Sequence, residues 1–556
     1  MELKSRAALA IDIGASVRKR ALSGRTPAFL LVAIFSLLYF AETIVRASEK
    51  PFWFDELCTL YIVRLPSFAA SWSAVLHGAD YNPPLFYLIQ RADRELFGEG
   101  LIAMRLPAII GFWTLCLCLF RFASRCAGPV AGWIAMVMPV FTGAYYYAYE
   151  ARPHGIVLGF CGLALVCWQA SEDQRPYRTS WLLAFTVFSS AAFLTHCYAL
   201  VIVIPFWLAE AAYVVRQRQL RPLRWTVLTV PALLCAISFI PLLGSYRANV
   251  AHTEFSSSFA PHAAQLLGFY NYLAFPCFSI LLLVLALLVI DGFRQKSKPE
   301  IRLPSNDGSL FGSITLAVAF LLVPCFGLAM ALVTHGPFVP RYFLTAVIGL
   351  ASVVTLALSS SLQRWKTLTV AAVLSGMLLL DARRVLWHYH QGYGDAVTEQ
   401  SSGFLIEESG NPLVFYPLIT GAPKDLPIIV AAPLDFLYLV YYAPSRTQQL
   451  FYLTNSKNEL FYRLYSALRQ WCRIDYNPVQ TVSEFLPQHR SFLVYGASEF
   501  DPWLYSLVGR GARMSSIKFA DRGRFLANLQ QGPPAAPPLS QTGLVSRARV
   551  QTLGGR

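Results

Sequence analysis

Trp53-Phe54-Asp55-Glu56 sets two adjacent carboxylates directly after the first long apolar segment of a 556-residue chain. If that segment crosses a membrane, the acids stand where the chain emerges. Carboxylates beside a bilayer carry a desolvation cost that a purely structural chain avoids, so the pair is read as a functional candidate. The plainer reading is a solvated loop with a helix cap at Asp55, and the rest of the chain has to decide between them.

Composition decides the class. The chain is 55% hydrophobic, 14% aromatic and only 14% charged, with a mean hydropathy of +0.47, which points to a polytopic membrane protein. Its formal net charge of +15 lies in short clusters between apolar segments. That is a topology signal and argues against nucleic acid as a partner. Most of the eleven cysteines fall inside apolar segments, with no zinc spacing and no disulfide framework. Residues 1–26 are basic and precede a long apolar run without a small-residue cleavage site, so they read as a cytoplasmic N-terminal segment ahead of an anchor.

Apolar segments of spanning length recur near 27–47, 101–121, 127–147, 153–170, 180–196, 198–215, 226–246, 269–291, 310–333, 341–360 and 366–381. Eleven spans put every large basic cluster on the cytoplasmic side, from Arg18, Lys19 and Arg20 to Arg364 and Lys366. The break around Thr195-His196-Cys197 is critical, because one span fewer inverts everything downstream. In the external loop 48–100, the runs Ser67–Leu76 and Leu85–Phe97 carry apolar residues at helical spacing and predict two interfacial helices. Between them, Asp80-Tyr81-Asn82-Pro83-Pro84 reads as a stiff turn.

Beyond residue 381, strand-like runs (Pro427–Ala432, Gln449–Thr454, Ser491–Gly496, Ala512–Phe519) alternate with helix-like runs (Leu434–Tyr442, Glu459–Trp471, Asp501–Val508). This predicts a periplasmic α/β domain over 391–530 with a mostly parallel sheet, then a disordered tail over 531–556. The fold expected is an α-helical polytopic membrane protein of about eleven spans, its catalytic part over 27–390, with a C-terminal extracytoplasmic α/β domain.

This topology brings three segments to one external face: Asp55-Glu56, Tyr145 to His154, and Pro337 to Tyr342. Acids, aromatics and two arginines there suggest a site for an anionic amphiphile, because an arginine at the hydrocarbon edge is costly unless a partner such as a phosphate takes its fork. Each piece also has a simpler use: tyrosines build interfacial belts, arginines snorkel, and histidines satisfy local hydrogen bonds.

Together, Trp53-Phe54-Asp55-Glu56, Tyr81-Asn82-Pro83-Pro84-Leu85-Phe86-Tyr87, Glu150-Ala151-Arg152-Pro153-His154 and Pro340-Arg341-Tyr342-Phe343 resemble the successive signatures of the polytopic GT-C glycosyltransferases. The branch they resemble holds the protein-mannosyltransferase, aminoarabinose-transferase and lipopolysaccharide galacturonosyltransferase-like proteins. His154 departs from the tyrosine that many relatives carry. The resemblance implies transfer of a sugar from a polyprenyl-phosphate donor to a hydroxyl of an envelope lipid, polysaccharide or protein, on the periplasmic face of the bacterial inner membrane. Asp55 is then the general base, Glu56 orients the acceptor or a divalent metal, and Arg152 and Arg341 hold the donor phosphate. Tyr81, Asn82, Tyr149, Glu150, His154 and Tyr342 are expected to bind substrate. A requirement for a metal is left open by the sequence, as are a flippase for a lipid-linked saccharide, a lipid-linked oligosaccharide ligase and a non-catalytic assembly protein.

Overall fold

The computed structural model describes residues 28–172, 177–244, 261–295, 308–334, 336–361 and 364–390, and, further on, 418–419, 421–431, 433–455, 460–468, 478–496, 507–509, 511–519 and 525–531. The expected N-terminal segment 1–26, the tail 532–556 and most of the expected helix Asp501–Val508 lie outside these residues. Two compact units emerge, Met1–Gly410 with Arg463–Arg473 and Asn411–Tyr462 with Ile474–Arg556.

The first unit is helical. It starts with α1 (Ala28–Glu49), followed by three helices of the segment 48–100: α2 (Phe54–Val63), α3 (Phe68–Leu76) and α4 (Pro84–Phe97). Ser67 caps α3 by accepting the Ala70 N–H at 3.1 Å. Pro84 opens α4 at its first turn, where a missing N–H costs nothing. Gly98, at φ +89°, closes the same helix in a conformation that only glycine adopts cheaply. Then come α5 (Leu101–Ala127), α6 (Pro129–Val137), two 3-10 turns over Met138–Phe141 and Gly143–Tyr149, and α7 (Pro153–Ala170).

Among the described residues, five helices are long and apolar enough to cross a membrane: Ala28–Glu49, Leu101–Ala127, Pro153–Ala170, Cys197–Gln217 and Ala263–Ile290. A sixth span results if Leu310–Leu321 and Val323–Thr334, bent by 50°, count as one. Shorter apolar helices cover Pro129–Phe141, Pro222–Ser238 and Ala346–Ser359. With Arg178–Thr195 and Arg364–His390, every apolar segment expected from the sequence overlaps helix in its described residues, although not every one meets the full length and hydropathy of a span, and 127–147 is α-helical only over Pro129–Val137 before it turns 3-10. The expected break is present: one helix ends at Thr195, His196 is extended (φ −152°, ψ 128°), and a 3-10 turn over Cys197–Ile202 leads into the next helix. The chain is a multi-pass membrane protein.

Helices α5 and α7 meet closely because their facing residues are small. A Cβ at Gly155 would lie 2.7 Å from the Ala108 carbonyl oxygen, and one at Gly159 would lie 2.6 Å from that of Gly111. Small residues four apart let two backbones touch. The N-terminus of α7 is thereby fixed against the stretch of α5 that carries Arg105.

The second unit holds a six-stranded sheet: β1 (Ile428–Val430), β2 (Leu450–Thr454), β3 (Val479–Thr481), β4 (Ser491–Gly496), β5 (Ala512–Phe519) and β6 (Phe525–Gln531), in the order β3-β2-β1-β4-β6-β5. The pairs β3-β2, β2-β1 and β1-β4 are parallel; β4-β6 and β6-β5 are antiparallel. The sheet is therefore mixed, with an antiparallel hairpin on an otherwise parallel core, and β3 and β6 are additional to the expected strands. Helices Pro433–Tyr442 and Leu460–Leu468 fall where helix was expected.

Helix α4 buries Phe86, Tyr87, Gln90 and Asp93 on one face. Asp93 Oδ2 and both amide atoms of Gln90 have no hydrogen-bond partner among the described residues. Burial pushes the Asp93 carboxyl up to about 7. The folded state then holds a proton that the unfolded chain releases near pH 4, so the contribution of this group to stability declines as pH rises from about 4 to about 7 and is flat above. Asp93→Asn, which imitates the neutral acid, should leave the melting temperature near that of the parent at pH 4 and raise it at pH 8. Thermal unfolding at the two pH values checks this.

Candidate active site

Asp55 and Glu56 are neighbours in sequence with opposite environments. Helix α2 turns Asp55 toward a partly open space, its side chain 20% exposed, and Glu56 inward, fully buried. Glu56 accepts from Arg105 on both oxygens, Nε to Oε1 and Nη2 to Oε2, each at 2.7 Å. Its Oε1 also takes the Ala151 N–H at 2.7 Å, and its Oε2 takes the Trp53 N–H at 3.2 Å at the start of α2. Arg105 spends its remaining donors on the carbonyls of Ala47 and Lys50, at 2.6 Å each, and of Pro51 at 3.0 Å. One salt bridge thus ties the end of α1, the start of α2, helix α5 and the entry to α7. Burial alone would raise the Glu56 carboxyl, but the Arg105 charge and the N–H donors outweigh it and hold it below the usual carboxylate range. With both oxygens taken by cationic and N–H donors, Glu56 does not fit a metal ion or an acceptor hydroxyl, the roles the sequence suggested for it. Among the described residues no group of three or more His, Cys, Asp or Glu side chains is placed to hold a metal.

The two arginines differ as well. Arg152 caps α7 from an extended backbone (φ −130°, ψ 162°). It donates to Asp80 from Nη1 (2.9 Å) and Nη2 (3.4 Å), to Thr59 Oγ1 (3.0 Å) and to the Asp55 carbonyl (3.2 Å). Its Nη2 is 3.8 Å from Asp55 Oδ2, and its Nε has no partner among the described residues. Burial would raise the Asp80 carboxyl, yet the Arg152 charge and the Tyr81 N–H keep it below the ordinary carboxylate range. Arg341, on the 3-10 turn Pro340–Phe343, is less committed: its side chain is 28% exposed and Nη2 is 3.2 Å from Asp55 Oδ2. The guanidinium also lies 5.5 Å from the centre of the Trp53 ring and 5.9 Å from that of Tyr342.

The other expected residues divide between two sides of the segment 143–152. On the arginine side, Asn82 Nδ2 donates to Asp80 at 2.9 Å, and the Tyr81 N–H donates to the same carboxylate at 2.8 Å. There His154 packs among Tyr147 (5.0 Å), His196 (5.4 Å) and Tyr342 (6.2 Å). On the other side, Glu150 receives the Lys50 ammonium at 2.7 Å in a buried pair, and that ammonium lies 3.9 Å from the centre of the Tyr146 ring. Burial pushes Lys50 down and Glu150 up, against the attraction between them. Tyr149 packs on Tyr145 and Tyr146, 5.7 Å from each.

Asp80, Thr59, Lys50 and Arg105 are absent from the residues singled out in the sequence. Asp80 had a local signal, an acid two residues before Asn82 in the proline turn. Arg105 had one too, a lone cation four residues into an apolar helix, where an unpaired charge would be expensive.

Comparison with known proteins bears on the fold. The family model for dolichyl-phosphate-mannose-protein mannosyltransferase matches residues 81–244, which include Asn82, Glu150, Arg152 and His154. No curated protein sequence matches the chain. The crystal structure of ArnT from Cupriavidus metallidurans in the apo state superposes with a TM-score of 0.52 at 17% identity, covering 91% of this chain and 98% of that one. The same protein bound to undecaprenyl phosphate gives 0.51 at 15% identity, covering 90% and 97%. The superposition over nearly the whole of both chains leads to one conclusion: this chain has the fold of ArnT.

Proposed function

We propose that the protein is an integral membrane glycosyltransferase that moves a sugar from a polyprenyl-phosphate donor to a hydroxyl of a cell-envelope acceptor, on the periplasmic face of a bacterial inner membrane and with inversion. The observation that carries this reading is the contact of Asp55 Oδ2 with the Arg341 guanidinium at 3.2 Å, a base and an anion receptor side by side in a partly open site. The ArnT structure with undecaprenyl phosphate supports the choice of carrier.

In this mechanism the donor phosphate takes the Arg341 fork and draws it away from Asp55, whose oxygen then becomes free to accept a proton. The acceptor oxygen attacks the anomeric carbon as its proton passes to Asp55. The bond from that carbon to the phosphate oxygen breaks, and its electron pair leaves with polyprenyl phosphate, stabilised by Arg341. Arg152, committed to Asp80, Thr59 and the Asp55 carbonyl, acts as a positioning residue that keeps α2 and α7 in register and adds its charge to the site. Asn82 and Tyr81 hold Asp80, while His154 and Tyr342 form the aromatic wall beside Arg341.

Arg341→Lys keeps the charge and loses the planar fork. Loss of a charge-assisted hydrogen bond is worth about 1.5–3 kcal/mol, so donor-dependent transfer should fall about ten- to a hundred-fold with normal expression. Purified variants assayed over a range of donor concentrations check this, and parental activity of Arg341→Lys at limiting donor would remove Arg341 as the phosphate ligand. The wider test is mass spectrometry of envelope glycolipids and glycans from cells with and without the protein, where one sugar should be lost. Topology is tested separately. An alkaline phosphatase fused near residue 400 should be active, and a fluorescent protein there dark, if the N-terminus is cytoplasmic and eleven spans precede the C-terminal domain.

A further inference from the structure

Beside the acid-and-arginine site, on the other side of the segment 143–152, lies a cavity of about 710 Å³ that no part of the mechanism uses. Tyr145, Tyr146, Tyr149 and Tyr272 contribute to its wall, joined by Asn271 and by charged groups of α1 and of the helix Arg364–His390. The volume lies within the range of small-molecule sites, which is about 300–1,000 Å³.

Its charge balance narrows the occupant. Arg46 and Arg384 face the cavity with Asp381. The Arg46 fork is already filled, Nε by Glu42 at 2.9 Å and Nη2 by Asp381 at 3.0 Å. Arg46 is therefore not an open anion receptor of the kind Arg341 presents. Beside the aliphatic Val140, Pro276, Met377 and Leu380, what remains is a cluster of aromatic rings with the neutral polar Thr142 and Asn271. Tyr146 and Tyr149 pack edge to face with centres 5.7 Å apart, the Tyr145 hydroxyl is fixed by Thr43 at 2.8 Å, and Asn271 offers both a donor and an acceptor. Ring faces for C–H surfaces, combined with planar polar side chains for hydroxyls, are the chemistry that recognises a saccharide.

We propose that this cavity is a glycan subsite that holds the saccharide part of the acceptor. The inference rests on the transferase reading and adds a second substrate site to it. Segment 143–152 is the physical link: Tyr145, Tyr146 and Tyr149 line the cavity, while Tyr147 packs on His154 and the Ala151 N–H binds Glu56, the neighbour of Asp55. Occupancy of the cavity therefore bears on the backbone that also carries Arg152.

Leu380 lines the cavity and is 63% exposed, so a photoreactive benzophenone side chain placed there samples what enters. In cells carrying the full-length Asp55→Asn protein with benzophenone at 380, irradiation should attach sugar-bearing material to the protein, identified by monosaccharide analysis after acid hydrolysis. In the otherwise unaltered purified protein, Leu380→Trp should raise the KM for acceptor membranes about tenfold and leave the KM for a labelled polyprenyl-phosphate hexose unchanged. Capture of phospholipid or peptide alone, or of nothing, overturns the glycan subsite, as does an unchanged acceptor KM. Failure of the parent protein to consume any polyprenyl-phosphate sugar would instead overturn the transferase reading.

Discussion

Asp55→Asn should lower sugar transfer by about a hundredfold or more while leaving donor binding intact, because asparagine keeps the shape of the side chain and removes its capacity to take a proton. The expected loss is almost wholly in kcat. Asp55 pairs with Arg341 at 3.2 Å, so the amide also releases the guanidinium from its competitor, and donor affinity should hold or improve. That divergence, slower turnover with equal or tighter donor binding, is not what a structural salt bridge predicts; losing a salt bridge that shaped the site would weaken donor binding together with rate. Thermal stability should stay close to that of the parent, since the side chain is 20% exposed and its loss strands no fully buried charge. Radiolabelled donor, measured by equilibrium binding and by single-turnover transfer on the same purified protein, separates the two quantities. Near-normal transfer by a well-folded Asp55→Asn protein would remove the base assignment.

What the sequence made legible was local. Helical spacing located Phe68–Leu76 and Pro84–Phe97, and the weak point at Thr195-His196-Cys197 is where the backbone leaves the helix. The motif residues Asp55, Asn82, Arg152 and Arg341 do meet, because turns and helix ends deliver them to one place. Their roles were less legible, since a role depends on what each side chain meets. Adjacent Asp55 and Glu56 look interchangeable in sequence, yet they separate because successive residues of a helix point about 100° apart, one to the site and one to Arg105. That partner is 49 positions away, and no periodicity reports a contact between the start of one helix and the buried face of another. The same limit hid Lys50 as the partner of Glu150, 100 positions apart. In the C-terminal sheet, β3 is three residues long, too short for alternation to register, and β6 runs up to the proline-rich tail with which its last residue, Gln531, was grouped.

Glu56→Gln tests the division of labour between the two acids from the other direction, and here the expected loss is of the fold before the chemistry. Glu56 and Arg105 are both fully buried, and removing one partner leaves the other charge uncompensated at a cost of about 3–5 kcal/mol. Because Glu56 is held ionised below the usual carboxylate range, its contribution to stability is present above the unfolded carboxylate value and disappears as pH falls through the lower folded one. Glu56→Gln should therefore lower the melting temperature at pH 7 and lose most of its deficit relative to the parent in strong acid. Transfer falls as well, through displacement of the Ala151 N–H that Glu56 fixes at 2.7 Å and of the Arg152 that follows it. Replacing both partners, as Glu56→Gln with Arg105→Met, removes the stranded cation and should recover part of the stability lost in Glu56→Gln alone. Melting temperature and kcat, measured for the single and double variants, decide between positioning and catalysis. A Glu56→Gln protein that melts like the parent but turns over as slowly as Asp55→Asn would place Glu56 among the reacting groups.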